Sequence, residues 1–261
     1  AGPMTPHPNA LKPLSPRQRL ARALALGPRD ATHILSKVRR AQVGIQRDLH
    51  QLRQGIPLRP NRLCPLAAAS VAAAFKGYPD GLVLWGVHET DYLRGLLALG
   101  QAMNDQKPVI VFRARQQPEE QRSLVQSATR LGVPLRVLEG DGQGRPLLRA
   151  LRRGARVLML GDALPGMHHG PVEAWQGLGE SFPFSSGPFR LAQHAGCPVL
   201  PVAFLPTPGP EGGLAPEFGP LLLPSRSPEH NAAQAFTFFL AWLKRAPERW
   251  LLWHRLFAPK P

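Results

Sequence analysis

The stretch Gly81-Leu82-Val83-Leu84-Trp85-Gly86-Val87-His88-Glu89-Thr90-Asp91-Tyr92 decides the fold. Gly81–Val87 is apolar and uncharged, as a strand buried on both faces requires. A histidine and two carboxylates follow at once, and a helical pattern then opens over Tyr92–Met103. Moving outward, further short runs rich in Val and Leu occur at Pro108–Phe112, Pro134–Leu138, Arg156–Leu160 and Pro198–Phe204. Between them lie helical patterns at Pro118–Leu131, Pro146–Arg153 and Gly187–Ala195. Strand–helix–strand alternation predicts an α/β fold with a mostly parallel central sheet flanked by helices. Gly161–Glu180 shows no periodicity and reads as a long loop, and loops of that length are often functional. Ser227–Leu243 predicts a C-terminal helix, followed by the aromatic-rich stretch Trp250–Phe257.

In an open α/β sheet, sites form outside the carboxyl ends of the strands, which is where His88 falls. Imidazole accepts a proton near neutral pH. Glu89 or Asp91 is placed to hold its tautomer and stabilise the imidazolium, and Asp91, three positions on, faces it if the first helical turn starts there. The plainer reading of the same residues is a helix cap: Thr90 or Asp91 closes the helix start and the histidine is incidental. Residue types alone leave both open. Asp162 follows a strand too, and either takes part in the site or caps the loop.

Composition sets the bounds. The chain has 261 residues, 43% of them hydrophobic and 19% charged, enough for one substantial core. A formal net charge of +15 attracts anionic partners: nucleic acid, an acidic membrane face or an acidic protein. No recognised nucleic-acid motif accompanies the arginines, so no specific nucleic-acid partner is expected. Cys64 and Cys197 are far apart and give neither a disulfide scaffold nor a zinc spacing. The adjacent pair His168 and His169 lacks a third ligand, so no metal is expected. The longest near-apolar run, Leu63–Phe75, is too short to span a bilayer, which needs roughly 20 residues.

Residues 1–15 read as a tag remnant, Ala1-Gly2-Pro3, followed by a proline-rich arm. Residues 16–261 read as one α/β domain, of which 16–60 is a basic helical layer. In that layer Leu20, Leu24, Ile34, Leu35, Val38, Ile45 and Leu49 recur at roughly helical spacing, while Arg17, Arg19, Arg22, Arg39, Arg40 and Arg47 fill other faces. It is either a solvated amphipathic layer or a docking surface for anionic lipid heads or an acidic carrier protein.

Four stretches and an ending carry a family likeness. They are the strand into His88; Val111-Phe112-Arg113; Leu147–Gly154 with Val157–Asp162; and Gly179 through Phe182-Pro183-Phe184-Ser185-Ser186-Gly187-Pro188 to Val202. The ending is Ala246-Pro247-Glu248-Arg249-Trp250-Leu251-Leu252-Trp253-His254-Arg255-Leu256-Phe257. In their order and spacing, over about residues 65–257, they resemble the bacterial lysophospholipid acyltransferase superfamily, in the branch of the lipid A biosynthesis (lauroyl/myristoyl) acyltransferases.

The resemblance implies a glycerol-3-phosphate acyltransferase-like fold. It also implies transfer of an acyl group from a thioester, on acyl carrier protein or coenzyme A, to a hydroxyl or amine. His88 would be the general base, and no cofactor would be needed because the thioester is already activated. Arg113, Asp162, Ser186 and Gly187 are the implied substrate-contacting positions. The family places an acid five positions after its histidine, where this chain has Leu93. Asp91 or Glu89 would substitute from a shifted position, or the chain is a catalytically altered member that binds an acyl chain or a carrier protein. A literal repeat of that spacing at His168–Glu173 lies in the wrong block. The family's N-terminal membrane anchor is replaced here by the basic helical layer. That favours a cytoplasmic protein, peripheral to the inner membrane at most, with a soluble or carrier-bound acceptor.

Overall fold

The computed structural model describes residues 14–59, 75, 81–103, 107–113, 118–139, 144–162, 172–207 and 213–257. The quoted stretch forms β1 (Leu82–Gly86), buried along its whole length, and then α3 (Tyr92–Met103). Alternating elements follow: β2 (Val109–Arg113), α4 (Pro118–Arg130), β3 (Leu135–Glu139), α5 (Gly144–Arg152) and β4 (Arg156–Leu160). A hairpin of β5 (Val172–Gly177) and β6 (Glu180–Ser185) leads to α6 (Gly187–Ala195), β7 (Val199–Thr207), β8 (Gly213–Phe218) and α7 (Pro228–Arg245). The chain then makes a 3-10 turn over Pro247–Arg249 and a last short helix, α8 (Trp253–Leu256). Ahead of the sheet stand α1 (Pro16–Ala23) and α2 (Pro28–Arg53).

The main sheet has six strands in the order β3-β2-β4-β1-β7-β8, with only the β7–β8 pair antiparallel. This is the expected α/β architecture: a mostly parallel mixed sheet flanked by helices. The connection leaving β1 runs toward β2, and the one leaving β4 runs the opposite way, toward β7. The carboxyl ends of β1 and β4 therefore flank a topological switch point, where loops part and leave a crevice. Register sharpens this: Gly86 pairs with Leu160, so His88 and Asp162 each stand two residues beyond paired strand ends.

Two parts of the sequence reading are corrected. The supposed loop Gly161–Glu180 contains β5, which pairs with β6 around Leu178-Gly179. Both turn residues have positive φ, 53° and 71°. That is the two-residue hairpin geometry usually signalled by Asn-Gly or Asp-Gly, and Leu at the first position hid it. The antiparallel edge strand β8 went unread because Pro216 and Glu217 break an apolar pattern. The basic segment is two helices: Ser15 caps α1 in a capping box with Gln18, and Pro28 opens α2 at its first turn.

Leu20 of α1 and Val38, Ile45 and Leu52 of α2 belong to the same buried cluster as the sheet strands. Partly buried ion pairs tie the layer to its partners: Arg53 donates to Glu120 of α4, and Arg94 of α3 to Asp48. Arg19 pairs with Glu180 and stacks 4.8 Å over the Phe257 ring. The aromatic segment is core: Trp250 lies 4.9 Å from Trp253 and 5.6 Å from Phe182, ring centre to ring centre.

Candidate active site

Asp162, and not Asp91 or Glu89, meets the His88 ring. Its Oδ1 lies 2.8 Å from His88 Nδ1, and its Oδ2 accepts the His88 backbone N–H at 2.7 Å. Trp250 Nε1–H donates to the same Oδ2 at 2.9 Å. Oδ2 already accepts two donors, and an ionised Asp162 then accepts at Oδ1 as well, which assigns the histidine hydrogen to Nδ1. That leaves the lone pair on Nε2, for which the described residues supply no hydrogen-bond partner. The histidine side chain keeps 16% of its surface exposed and the aspartate 1%. The pair is a buried carboxylate holding an imidazole by one nitrogen.

The expectation for Asp91 and Glu89 fails for a local reason. After His88 the chain does not enter the helix directly. It first pairs with the C-terminal segment, as Leu251 N–H donates to His88 O at 2.9 Å and Thr90 N–H to Arg249 O at 3.0 Å. This turns both acids toward Arg249. Asp91 accepts from its guanidinium at 2.6 Å, and Glu89 Oε2 stands 3.5 Å away. Glu89 Oε1 accepts the Phe204 amide at 2.8 Å. Burial pushes the Glu89 carboxyl up to about 8, against the Arg249 charge and the Phe204 N–H, which pull it down. Leu93, at the position of the family's acid, is core.

The other expected positions fall around the same carboxylate or outside the described atoms. Gly161, next to Asp162, accepts the Ser185 amide at 2.9 Å, which brings the end of β6 against the end of β4. Ser186 and Gly187 begin α6 directly afterwards. The Gly187 amide donates to Ser185 Oγ at 3.2 Å, and Ser186 Oγ is buried without a hydrogen bond among the described residues. Arg113 ends β2, and its side chain lies outside the described residues, as do Cys64, His168 and His169. Among the described residues, no group of three or more His, Cys, Asp or Glu side chains is placed to hold a metal ion. Among them, too, no helix is long and apolar enough to cross a membrane.

A small apolar cavity of about 10 Å³ adjoins the site, lined by Val87, Glu89, Tyr92, Leu96, Leu160 and Phe204 among others. It has room for about one water molecule. The residue that sequence reasoning missed is Trp250, which stood there only as the start of the aromatic-rich C-terminal stretch. Its one available signal is chemical: a buried indole N–H requires an acceptor.

No protein-family model matches the chain, and no curated protein matches it.

Proposed function

We propose that this chain is an acyltransferase that moves an acyl group from a thioester donor to a hydroxyl or amine acceptor. The observation that carries the reading is the His88–Asp162 pair, with Nδ1 on a buried carboxylate and Nε2 without a hydrogen-bond partner among the described residues, beside a switch point of the sheet. In the proposed reaction Nε2 takes the acceptor's proton as its oxygen or nitrogen attacks the thioester carbonyl. Collapse of the tetrahedral intermediate restores the carbonyl, expels the thiolate, and returns the proton to it. Asp162 keeps the tautomer and stabilises the imidazolium without itself being protonated. Ser186, the α6 amino end and Arg113 are the groups proposed for the oxyanion and substrate.

The sequence resemblance supports a glycerol-3-phosphate acyltransferase-like fold and the choice of acyl chemistry. The donor proposed is acyl carrier protein ahead of acyl-coenzyme A, since carrier proteins are acidic and the chain's net charge is +15. A cytoplasmic protein, at most peripheral on an anionic membrane surface, fits such a donor. Asp162 meets the objection raised by Leu93, because the orienting acid comes from a neighbouring strand.

The test is incubation with acyl carrier protein thioesters and acyl-coenzyme A in turn, against hydroxyl and amine acceptors. Transfer is expected with wild type and lost with His88→Ala. Tight carrier or acyl-chain binding with no transfer, indifferent to His88, supports instead the non-catalytic binding protein.

A further inference from the structure

We propose that Trp250 is a positioning residue of the His88–Asp162 pair, delivered by a C-terminal segment that makes a single antiparallel bridge to the loop carrying the histidine. Its kinetic consequence rests on the function proposed above; its geometric content does not. The Asp162 side chain ends in a torsion with broad, two-fold preferences, so hydrogen bonds must set the carboxylate plane. Oδ1 faces the imidazole, and Oδ2 is held by the His88 amide and the Trp250 indole. The His88 amide moves with the residue to be oriented. The indole is therefore the independent anchor. Trp250 and Asp162 are each 1% exposed, so water has little access to replace it.

The indole is itself fixed. Trp250 bridges Glu89 as an antiparallel partner, with one pairing bond on either side, Thr90 N–H to Arg249 O and Leu251 N–H to His88 O. Arg249, one residue before it, is tied to Asp91. Gln42 of α2 donates to Leu251 O at 2.7 Å, which holds the segment from behind. A merely structural tryptophan would need none of this register, since its ring already packs on Phe182, Phe239 and Trp253.

The experiment is nitrogen-15 NMR of the His88 ring and of the tryptophan indoles in the full chain, with no substrate present. Trp250→Phe keeps an aromatic ring and removes the donor. The expected result is a mixed His88 tautomer in place of the Nδ1–H form. With donor and acceptor added, kcat falls about tenfold, as loss of an outer hydrogen-bonding partner commonly costs, while KM for the donor holds. Trp242→Phe removes an indole N–H from the same aromatic cluster that has no hydrogen bond, and is expected to change neither. A folded Trp250→Phe protein with a wild-type His88 tautomer overturns the inference. Should that variant not fold, wild type decides: the Trp250 indole resonance must titrate with the midpoint of the His88 ring, and independence of the two overturns it. If no acceptor is ever acylated, the functional reading fails while the tautomer result still stands or falls alone.

Discussion

Asp162 is held by three donors in a pocket nearly closed to water, and the residue before it is no less constrained. A Cβ on Gly161 would come 2.0 Å from Trp85 Nε1, and that indole is fully buried with no room to retreat. Gly161→Ala must push the Asp162 backbone away from His88. A stability loss of ~1–3 kcal/mol, as overpacking commonly gives, together with collapse of transfer, is the expected outcome of melting and assay. Glu89 gives a prediction in pH. Its folded carboxyl is raised to about 8 from an ordinary 4.5, mainly by burial. The folded state thus binds a proton that the unfolded chain has released. The stabilisation is full below the unfolded value and is lost as pH rises through the folded one. Melting temperatures of wild type measured against Glu89→Gln should converge at acid pH. Between pH 5 and 8 wild type should fall progressively behind, and a flat difference across that range contradicts the assignment.

At the level of elements, β1 and its histidine were legible because a fully apolar run ending in His-Glu-Thr-Asp has few other readings. Asp162 was legible as the end of another strand, but not as the partner of His88. That depends on β4 lying beside β1, and strand order is a tertiary fact that no local pattern encodes. Asp91 looked right by helical spacing and was wrong because strand pairing with Trp250, 161 residues downstream of Glu89, outcompetes an early helix start. The hairpin β5–β6 was missed for want of a turn signal, since Leu178 accepts a positive φ that Asn or Gly would have announced. The helical layer at the N-terminus was legible from its periodicity, but not its anchors. Asp48 accepts two hydrogen bonds from Arg94 and is nearly buried. Asp48→Ala leaves that guanidinium with a partner lost, and chemical denaturation should show a loss of about 1–3 kcal/mol with little change in kcat.

For the molecule as a whole, charge is the property the sequence stated most plainly. The exposed side of α2 carries Arg39, Arg40 and Arg47 around Val43, which is 70% exposed. An acidic carrier steered to this side gives a donor KM that rises between about 50 and 500 mM salt while kcat stays level, since the Debye length falls from ~14 to ~4 Å over that range. Arg40→Glu with Arg47→Glu should raise the same KM at low salt, and an unchanged KM places the carrier elsewhere. The fold and the C-terminal segment converge on one carboxylate, and Asp162→Asn probes it without changing its size. If the amide oxygen faces Nδ1–H, the amide nitrogen meets two donors. If it is flipped, the hydrogen moves to Nε2 and the base is gone. The most direct measurement is therefore the acyl-transfer rate of Asp162→Asn beside that of Asp91→Asn. The account predicts a loss of ~10³–10⁴ in kcat for the first, the scale seen when a catalytic histidine is left in the wrong tautomer, and less than about tenfold for the second. A folded Asp162→Asn protein that keeps the wild-type rate, with Asp91→Asn inactive, contradicts it.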